Sequence, residues 1–252
     1  MQLMEIEDQS WCPTVIRDGI TDYLQFTINA TRPYAPIAPR LASIIGEAES
    51  HDVVDLCSGA GGPWMSLSTM LAALGVNASV TLSDRYPNVA AMARVREVSG
   101  GAVRYHADPV DATRVPTGLR GTRTMFSAFH HFDPETARAV LRDAAAARTR
   151  IAVFEATHRS MATILVTLLA PIAVLVLTPA IRPFRWSRLF WTYLVPAIPI
   201  AVLFDGIVSC LRTYTPDELL ALAEDIDGYR WEAGETRARG PIPVTYLVGI
   251  PT

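Results

Sequence analysis

The sequence predicts an α/β fold, a doubly wound seven-stranded sheet whose final strands close it as an antiparallel hairpin. Two observations carry this. From His51 onward, short β-branched or apolar runs alternate with longer helical patterns, the signature of βαβ units around a parallel sheet. After the last helical pattern, Tyr229–Arg237 and Val244–Ile250 are strand-like runs separated by Gly240-Pro241-Ile242-Pro243, which reads as a hairpin turn. At 252 residues the chain is long enough to bury a full core.

Residues 1–50 read as a helical cap, with Trp11, Tyr23, Phe26 and Tyr34 set among prolines 13, 33, 36 and 39. The expected strands of the core, residues 51–160, are Asp52–Cys57, Ser79–Ser83, Ala102–His106, Thr122–Phe129 and Ile151–Glu155. Between the first two, Trp64, Leu67, Leu71 and Leu74 fall on one helical stripe, and Gly75 follows as a stop. Asp133-Pro134-Glu135 reads as N-cap, N1 proline and first-turn acid for the helix over 137–147. Thr215-Pro216-Asp217-Glu218 is a capping box leading a stripe at Leu219, Leu222, Ala223 and Ile226, within a returning segment of the core, 205–252.

Composition narrows the chemistry. The charges sum to −3, and every basic residue is Arg, which removes Schiff-base catalysis and a Walker-A loop, both of which need Lys. The mild acidity and the lack of an Arg-rich stripe interleaved with aromatics point away from nucleic acid. Cys12, Cys57 and Cys210 form no CxxC pair, and no His recurs with Asp or Cys at metal-ligand spacing, so the expectation is a reducing, cytosolic compartment and no metal. Met1–Ser10, carrying Glu5, Glu7 and Asp8, lacks the basic and apolar regions of a signal peptide.

Half of the residues are hydrophobic and only 19% are charged, and the surplus is concentrated in 161–204. Met161–Ile181 is uncharged and long enough to cross a bilayer. A single crossing would separate the last helix and strands from their sheet, and a second run, Leu189–Phe204, is short and broken by Pro196 and Pro199. The insert is therefore expected to be a lid over an apolar acceptor, or a one-leaflet element with its Arg and Trp residues at the headgroups and the protein peripheral to the membrane. An oligomer interface or a thicker core is the plainer alternative. Asp205, inside this apolar surrounding, is expected to make a structural hydrogen bond.

Val53-Val54-Asp55-Leu56-Cys57-Ser58-Gly59-Ala60-Gly61-Gly62 ends a strand and opens a helix, where backbone passes close to a ligand. Trp64 stands where the dinucleotide fingerprint needs Gly or Ala, which disfavours NAD and FAD. Asp84 ends the second strand, and Asp111 follows the third. This loop, Asp84, Asp111-Ala112-Thr113-Arg114-Val115-Pro116, and Phe129-His130-His131-Phe132 resemble the ordered motifs of class I S-adenosylmethionine-dependent methyltransferases, over about 51–157 and 205–252. The terminal hairpin resembles that family's antiparallel seventh strand.

The resemblance implies a Rossmann-like sheet and S-adenosyl-L-methionine as cofactor. It implies that Asp55 and the Cys57, Ser58, Gly59 and Gly61 loop hold the cofactor's amino-acid end, that Asp84, with Arg85 beside it, accepts from the ribose hydroxyls, that Asp111 and Ala112 meet the adenine, and that Phe129 is a further cofactor contact. Cys57 stands where the family's loop has its first glycine.

His130 and His131, at the carboxyl edge of the sheet, are the candidate catalytic residues; as neighbours in an extended strand they would point opposite ways. Tyr23, Glu155 and His158 are expected substrate contacts, Glu155 equally a capping carboxylate. The expected activity is in-line methyl transfer to a hydrophobic small molecule, natural-product or isoprenoid-like. A cofactor-binding protein of the same fold that does not methylate is the alternative.

Overall fold

The computed structural model describes residues 4–237 and 243–252, so the expected turn at Gly240-Pro241-Ile242 lies outside the described residues. Two helices lead, α1 (Thr14–Thr31) and α2 (Ala38–Gly46). Then β1 (Asp52–Leu56), α3 (Trp64–Ala73), β2 (Ser79–Leu82), α4 (Val89–Val98) and β3 (Val103–Tyr105) form the first half of the sheet. The second half is β4 (Thr122–Phe126), α5 (Pro134–Ala146) and β5 (Ile151–Glu155). The insert folds as α6 (Met161–Thr167), α7 (Ala170–Leu177), α8 (Trp186–Leu189), a π-turn at Phe190–Leu194 and α9 (Ala197–Arg212). The chain returns through α10 (Pro216–Ala223) to β6 (Tyr229–Arg237) and β7 (Pro243–Pro251).

The strand order is β3-β2-β1-β4-β5-β7-β6, parallel except for β7, which runs antiparallel to both neighbours. Alternation along each strand sends neighbouring side chains to opposite faces. Val53, Ala152 and Phe154 pack with Leu41 and Ile45 of α2 and Leu67 and Leu71 of α3. Val54, Ile151 and Val153 pack with Val140 and Leu141 of α5 and Leu219 and Leu222 of α10. The predicted caps form: Asp133 accepts from the Thr136 amide at 2.8 Å, and Thr215 and Glu218 make the reciprocal capping box. Gly75 takes φ +83° at the end of α3.

Strand four is shorter than the sequence suggested. β4 ends at Phe126 because Ser127 adopts φ +44°, and Phe129–His131 is a 3-10 turn. Ser127 is fixed there by its hydroxyl, 2.6 Å from the Tyr34 hydroxyl and accepting from the Ala156 amide at 3.0 Å.

The insert packs on α1. A third cluster joins Ile16, Ile20 and Tyr23 of α1 to Val174, Ile181, Ile198, Ala201 and Val202. α9 runs through residue 204 to Arg212, so the greasy block and the start of the returning segment share one helix. Pro196 caps it, and Pro199 lies in its first turn, where a missing amide costs no helical bond. The inner stripe of α7, Ala170, Ala173, Val174 and Leu177, faces the cluster. The opposite stripe, Leu165, Leu169, Ile172 and Val176, is exposed, as are Trp186, Tyr193 and Leu194. Met161–Ala180 is long and apolar enough to cross a membrane, yet most of it is neither buried nor polar.

Arg182 is exposed, and the expectation that the insert's arginines reach outward is corrected for Arg185 and Arg188. Arg188 is buried, donates to Asp22 of α1, and also donates to the carbonyls of Ile181 and Pro183 at 2.8 and 2.7 Å. Arg185 pairs with Asp18 at 2.6 Å. These residues tie the insert to α1 because an unpaired guanidinium buried there would be far costlier than the pair. Asp22→Ala should therefore destabilise the protein by about 3–5 kcal/mol, and adding Arg188→Met should restore most of it. Urea unfolding of the single and double variants checks this; equal losses in both would disprove the charge argument.

Candidate functional site

The reversal of strand order falls between β1 and β4, the switch point outside which doubly wound folds bind ligands. A cavity of about 690 Å³ lies there, within the range of small-molecule sites. Its floor is the loop after β1. Gly61 has φ +107°, and a Cβ on it would meet Val95 Cγ2 at 2.8 Å, so only glycine fits. Cys57 takes φ +55°, which accounts for the glycine usual at this place; here a β-carbon is carried in a left-handed conformation at a cost of order 1 kcal/mol. Burial pushes the Cys57 thiol well above its ordinary value, so it is no thiolate nucleophile.

Asp84 lines the cavity; its Oδ2 accepts from the Gly59 amide and its Oδ1 from the Tyr86 amide, both at 2.7 Å. Each oxygen keeps a further acceptor site. Asp111 Oδ1 accepts from the amide and hydroxyl of Thr113 at 2.9 and 2.7 Å, which lowers its pKa and leaves Oδ2 for a ligand. Arg85, Ala112, Cys57, Ser58 and Gly59 line the same cavity.

Asp55 does not reach it. The carboxylate is buried, accepting from Thr124 Oγ1 and Ser58 Oγ at 2.7 Å each, so it braces β1 against β4 and the loop. Phe129, expected to contact the cofactor, is fully buried beneath the cavity with Met125 and Leu141 and does not line it. Gly61 supports the loop from behind, against Val95 and Leu82.

His130 and His131 both line the cavity. The 3-10 turn overturns the expectation that they diverge: their rings lie 4.4 Å apart at 30°. His130 is buried, with Nδ1 2.5 Å from Glu155 Oε2. Glu155 Oε1 accepts from the Ala128 and Phe129 amides at 3.1 and 2.7 Å, so Glu155 orients the turn and does not line the cavity. His158 pairs with Glu235 at 3.1 Å, and Tyr23 is buried with Ile16 and Ile20; neither lines the cavity, so the three expected substrate contacts lie outside it.

The structure adds a group that the sequence did not single out. The segment before α1 lies over the cavity and brings Glu5, Glu7 and Asp8 to the histidines. Asp205 holds it, accepting from the Ile6 and Glu7 amides at 2.6 and 3.2 Å, the structural role expected of this acid. Arg17 donates to the carbonyls of Glu7 and Gln9. His131 Nδ1 is 2.9 Å from Asp8. Burial opposes a charge on His131, but Glu5, Asp8 and Glu7 overcome it and raise its pKa well above the ordinary value. Burial pushes Glu7 up to about 8. The Glu-x-Glu-Asp run was the available signal, and only the fold shows what it faces.

Burial raises Asp55 to about 6 from 3.8. On raising the pH, the unfolded chain releases this proton first, so the stability tied to the protonated carboxyl is complete below about pH 4 and is lost as pH rises through about 6. Two units correspond to about 3 kcal/mol. Asp55→Asn should remove that loss, so urea midpoints of variant and parent should diverge between pH 4 and 7 in favour of the variant. Parallel pH profiles would contradict the assignment.

No family model matches the chain, and no curated relative matches it. Solved structures do. The methyltransferase SibL matches over 85% of this chain at 16% identity and TM-score 0.52, with 55% of its own length covered. Mitomycin 7-O-methyltransferase MmcR matches over 86% at 19% identity and TM-score 0.51, with 54% of its length covered. NcsB1, an O-methyltransferase from neocarzinostatin biosynthesis solved with S-adenosylmethionine and 2-hydroxy-5-methyl naphthoic acid, matches over 88% at 19% identity and TM-score 0.51, with 54% covered. The chain thus spans just over half the length of each, and it has the fold of the class I S-adenosylmethionine-dependent methyltransferases.

Proposed function

We propose that the protein transfers a methyl group from S-adenosyl-L-methionine to a lipophilic small molecule. The observation that carries this is one cavity at the switch point, lined at one end by the glycine loop, Asp84 and Asp111 and elsewhere by apolar side chains and the two histidines. The residues suit the cofactor. Asp84 keeps free acceptor sites for ribose hydroxyls, Asp111 Oδ2 stands for an amino group, and Ala112 offers an apolar wall. Asp55 acts through the loop it braces.

Bound there, the cofactor supplies an activated methyl, so much of the protein's task is to position the acceptor and exclude water. Ile20, Leu24 and Ile28 of α1, Val202 of α9 and Phe126 give the apolar walls. His130 and His131 are the groups that act on the acceptor's polar atom. The insert serves the site through α9, while α6 and α7 turn their exposed apolar stripe outward. That stripe, with Trp186 and Tyr193, rests on one membrane leaflet from the cytoplasmic side, where a lipophilic acceptor resides.

Calorimetry with S-adenosylhomocysteine should show binding, weakened roughly ten- to 150-fold by Asp84→Ala through lost hydrogen bonds of about 1.5–3 kcal/mol. Binding by NAD instead would end the reading. Metabolites of cells with and without the protein should differ by one methylene in an apolar compound; cofactor binding with no such product would favour the non-methylating alternative.

Flotation with lipid vesicles checks the outward stripe. The parent should float, and a variant with Leu169→Glu and Ile172→Glu should stay in solution. A parent that does not float refutes the membrane contact.

A further inference from the structure

We propose that Glu5, His130 and His131 bind a divalent first-row transition-metal ion, of the zinc or iron(II) class, at the polar wall of the cavity. Ligand atoms of the three lie within 4.8 Å of one another. Glu5 Oε1 is 3.8 Å from His130 Nε2, and Glu5 Oε2 is 3.4 Å from His131 Nδ1, which also contacts Asp8 at 2.9 Å, so an ion held by Nδ1 takes the place of that contact. Both Glu5 separations exceed a good hydrogen bond. They approach the donor-to-donor edge of about 3.3 Å that a tetrahedral ion with bonds of about 2.0–2.1 Å imposes.

Two buried atoms at the site are without a hydrogen bond. Glu5 and His130 are 0% and 2% exposed, yet Glu5 Oε1 and His130 Nε2 make no hydrogen bond. His130 Nδ1 is taken up by Glu155, and Nε2 faces Glu5 Oε1 across 3.8 Å, too far for a hydrogen bond. A cation between them bonds to both atoms. Arg212 Nη1 lies 3.7 Å from Glu5 Oε1, on the same oxygen rather than on Nε2.

The supporting contacts have the form of a metal site's outer sphere. Glu155 fixes the His130 ring and is itself held by two amides, and Ser209 donates to Glu5 Oε2 at 3.0 Å. Two histidines and one carboxylate are a donor set for zinc and for non-haem iron. Such a set leaves coordination positions open, and both histidines line the cavity, so an acceptor oxygen can reach the ion. The ligands lie 125 residues apart in the chain, so no sequence spacing reveals them.

Ion binding does not depend on which group the protein transfers. The test is titration of chelator-treated full-length protein with Zn²⁺ by calorimetry and with Co²⁺ by visible absorption. One ion per chain is expected, with intense d–d bands of low-symmetry Co²⁺. Glu5→Gln and His131→Gln should each abolish stoichiometric uptake, and Glu155→Gln should weaken it roughly 10–100-fold. Substoichiometric binding by the parent, or equal binding by the variants, would overturn the proposal. S-adenosylhomocysteine binding in the same samples reports folding of the variants, and its absence from the parent would count against the methyltransferase reading alone.

Discussion

The hydrogen bond from Thr124 to Asp55 crosses the one place where the sheet divides. β1 and β4 are register partners there, and beyond them the chain departs in opposite directions. A crevice opens only because the two connections diverge, and a buried carboxylate holds their origins together while Ser58 ties the loop to the same group. The brace carries a cost: burial makes Asp55 resist ionisation. The left-handed residues Cys57 and Ser127 end the same two strands. Strain and desolvation are thus concentrated at the carboxyl edge, where they turn the backbone sharply enough to expose Gly59 on one side and the histidine turn on the other.

The strands were legible because a strand buried on both faces reads as a short β-branched or apolar run, as at Val53 and Val54, which face opposite cores. Caps at Asp133 and Thr215 were equally plain, since their chemistry is local. The end of β4 was not, because Ser127 is held at positive φ by Tyr34 and Ala156, partners distant in sequence. That single turn moved both histidines to one wall. Asp55, Asp84 and Asp111 were found together as motif acids, but only packing shows that the first faces inward and the other two face the cavity. Tyr23 illustrates the opposite failure: an aromatic in the cap reads as a ligand contact, while the insert, packed from far along the chain, claims it for a core.

The insert illustrates how apolar composition and polar anchoring divide their labour. A helix that is apolar on every side has no preferred orientation against water. α7 gains one through what surrounds it: Arg188 and Arg185 reach Asp22 and Asp18, selecting the stripe that meets α1 and leaving the other outside. Two of the basic residues that suggested headgroup contacts, Arg185 and Arg188, are instead the fastening. What remains outside is mostly hydrocarbon and aromatic surface beside exposed Arg182, so the lipid contact proposed for it would rely chiefly on the hydrophobic effect and depend weakly on anionic lipid and on salt.

The same division applies to the acids before α1. Asp205 holds the segment by accepting backbone amides, a task that needs only one carboxylate. Glu5, Glu7 and Asp8 exceed what holding the chain requires, and they gather against groups of limited positive charge. Glu7 responds by resisting ionisation and His131 by retaining its proton. Folding alone would favour neutral side chains at such a buried place, since desolvated charges with incomplete partners reduce stability. Glu7 and Asp8 stand on the cavity wall, and Glu5 beside both histidines, so a polar group that enters there meets a field set by these acids.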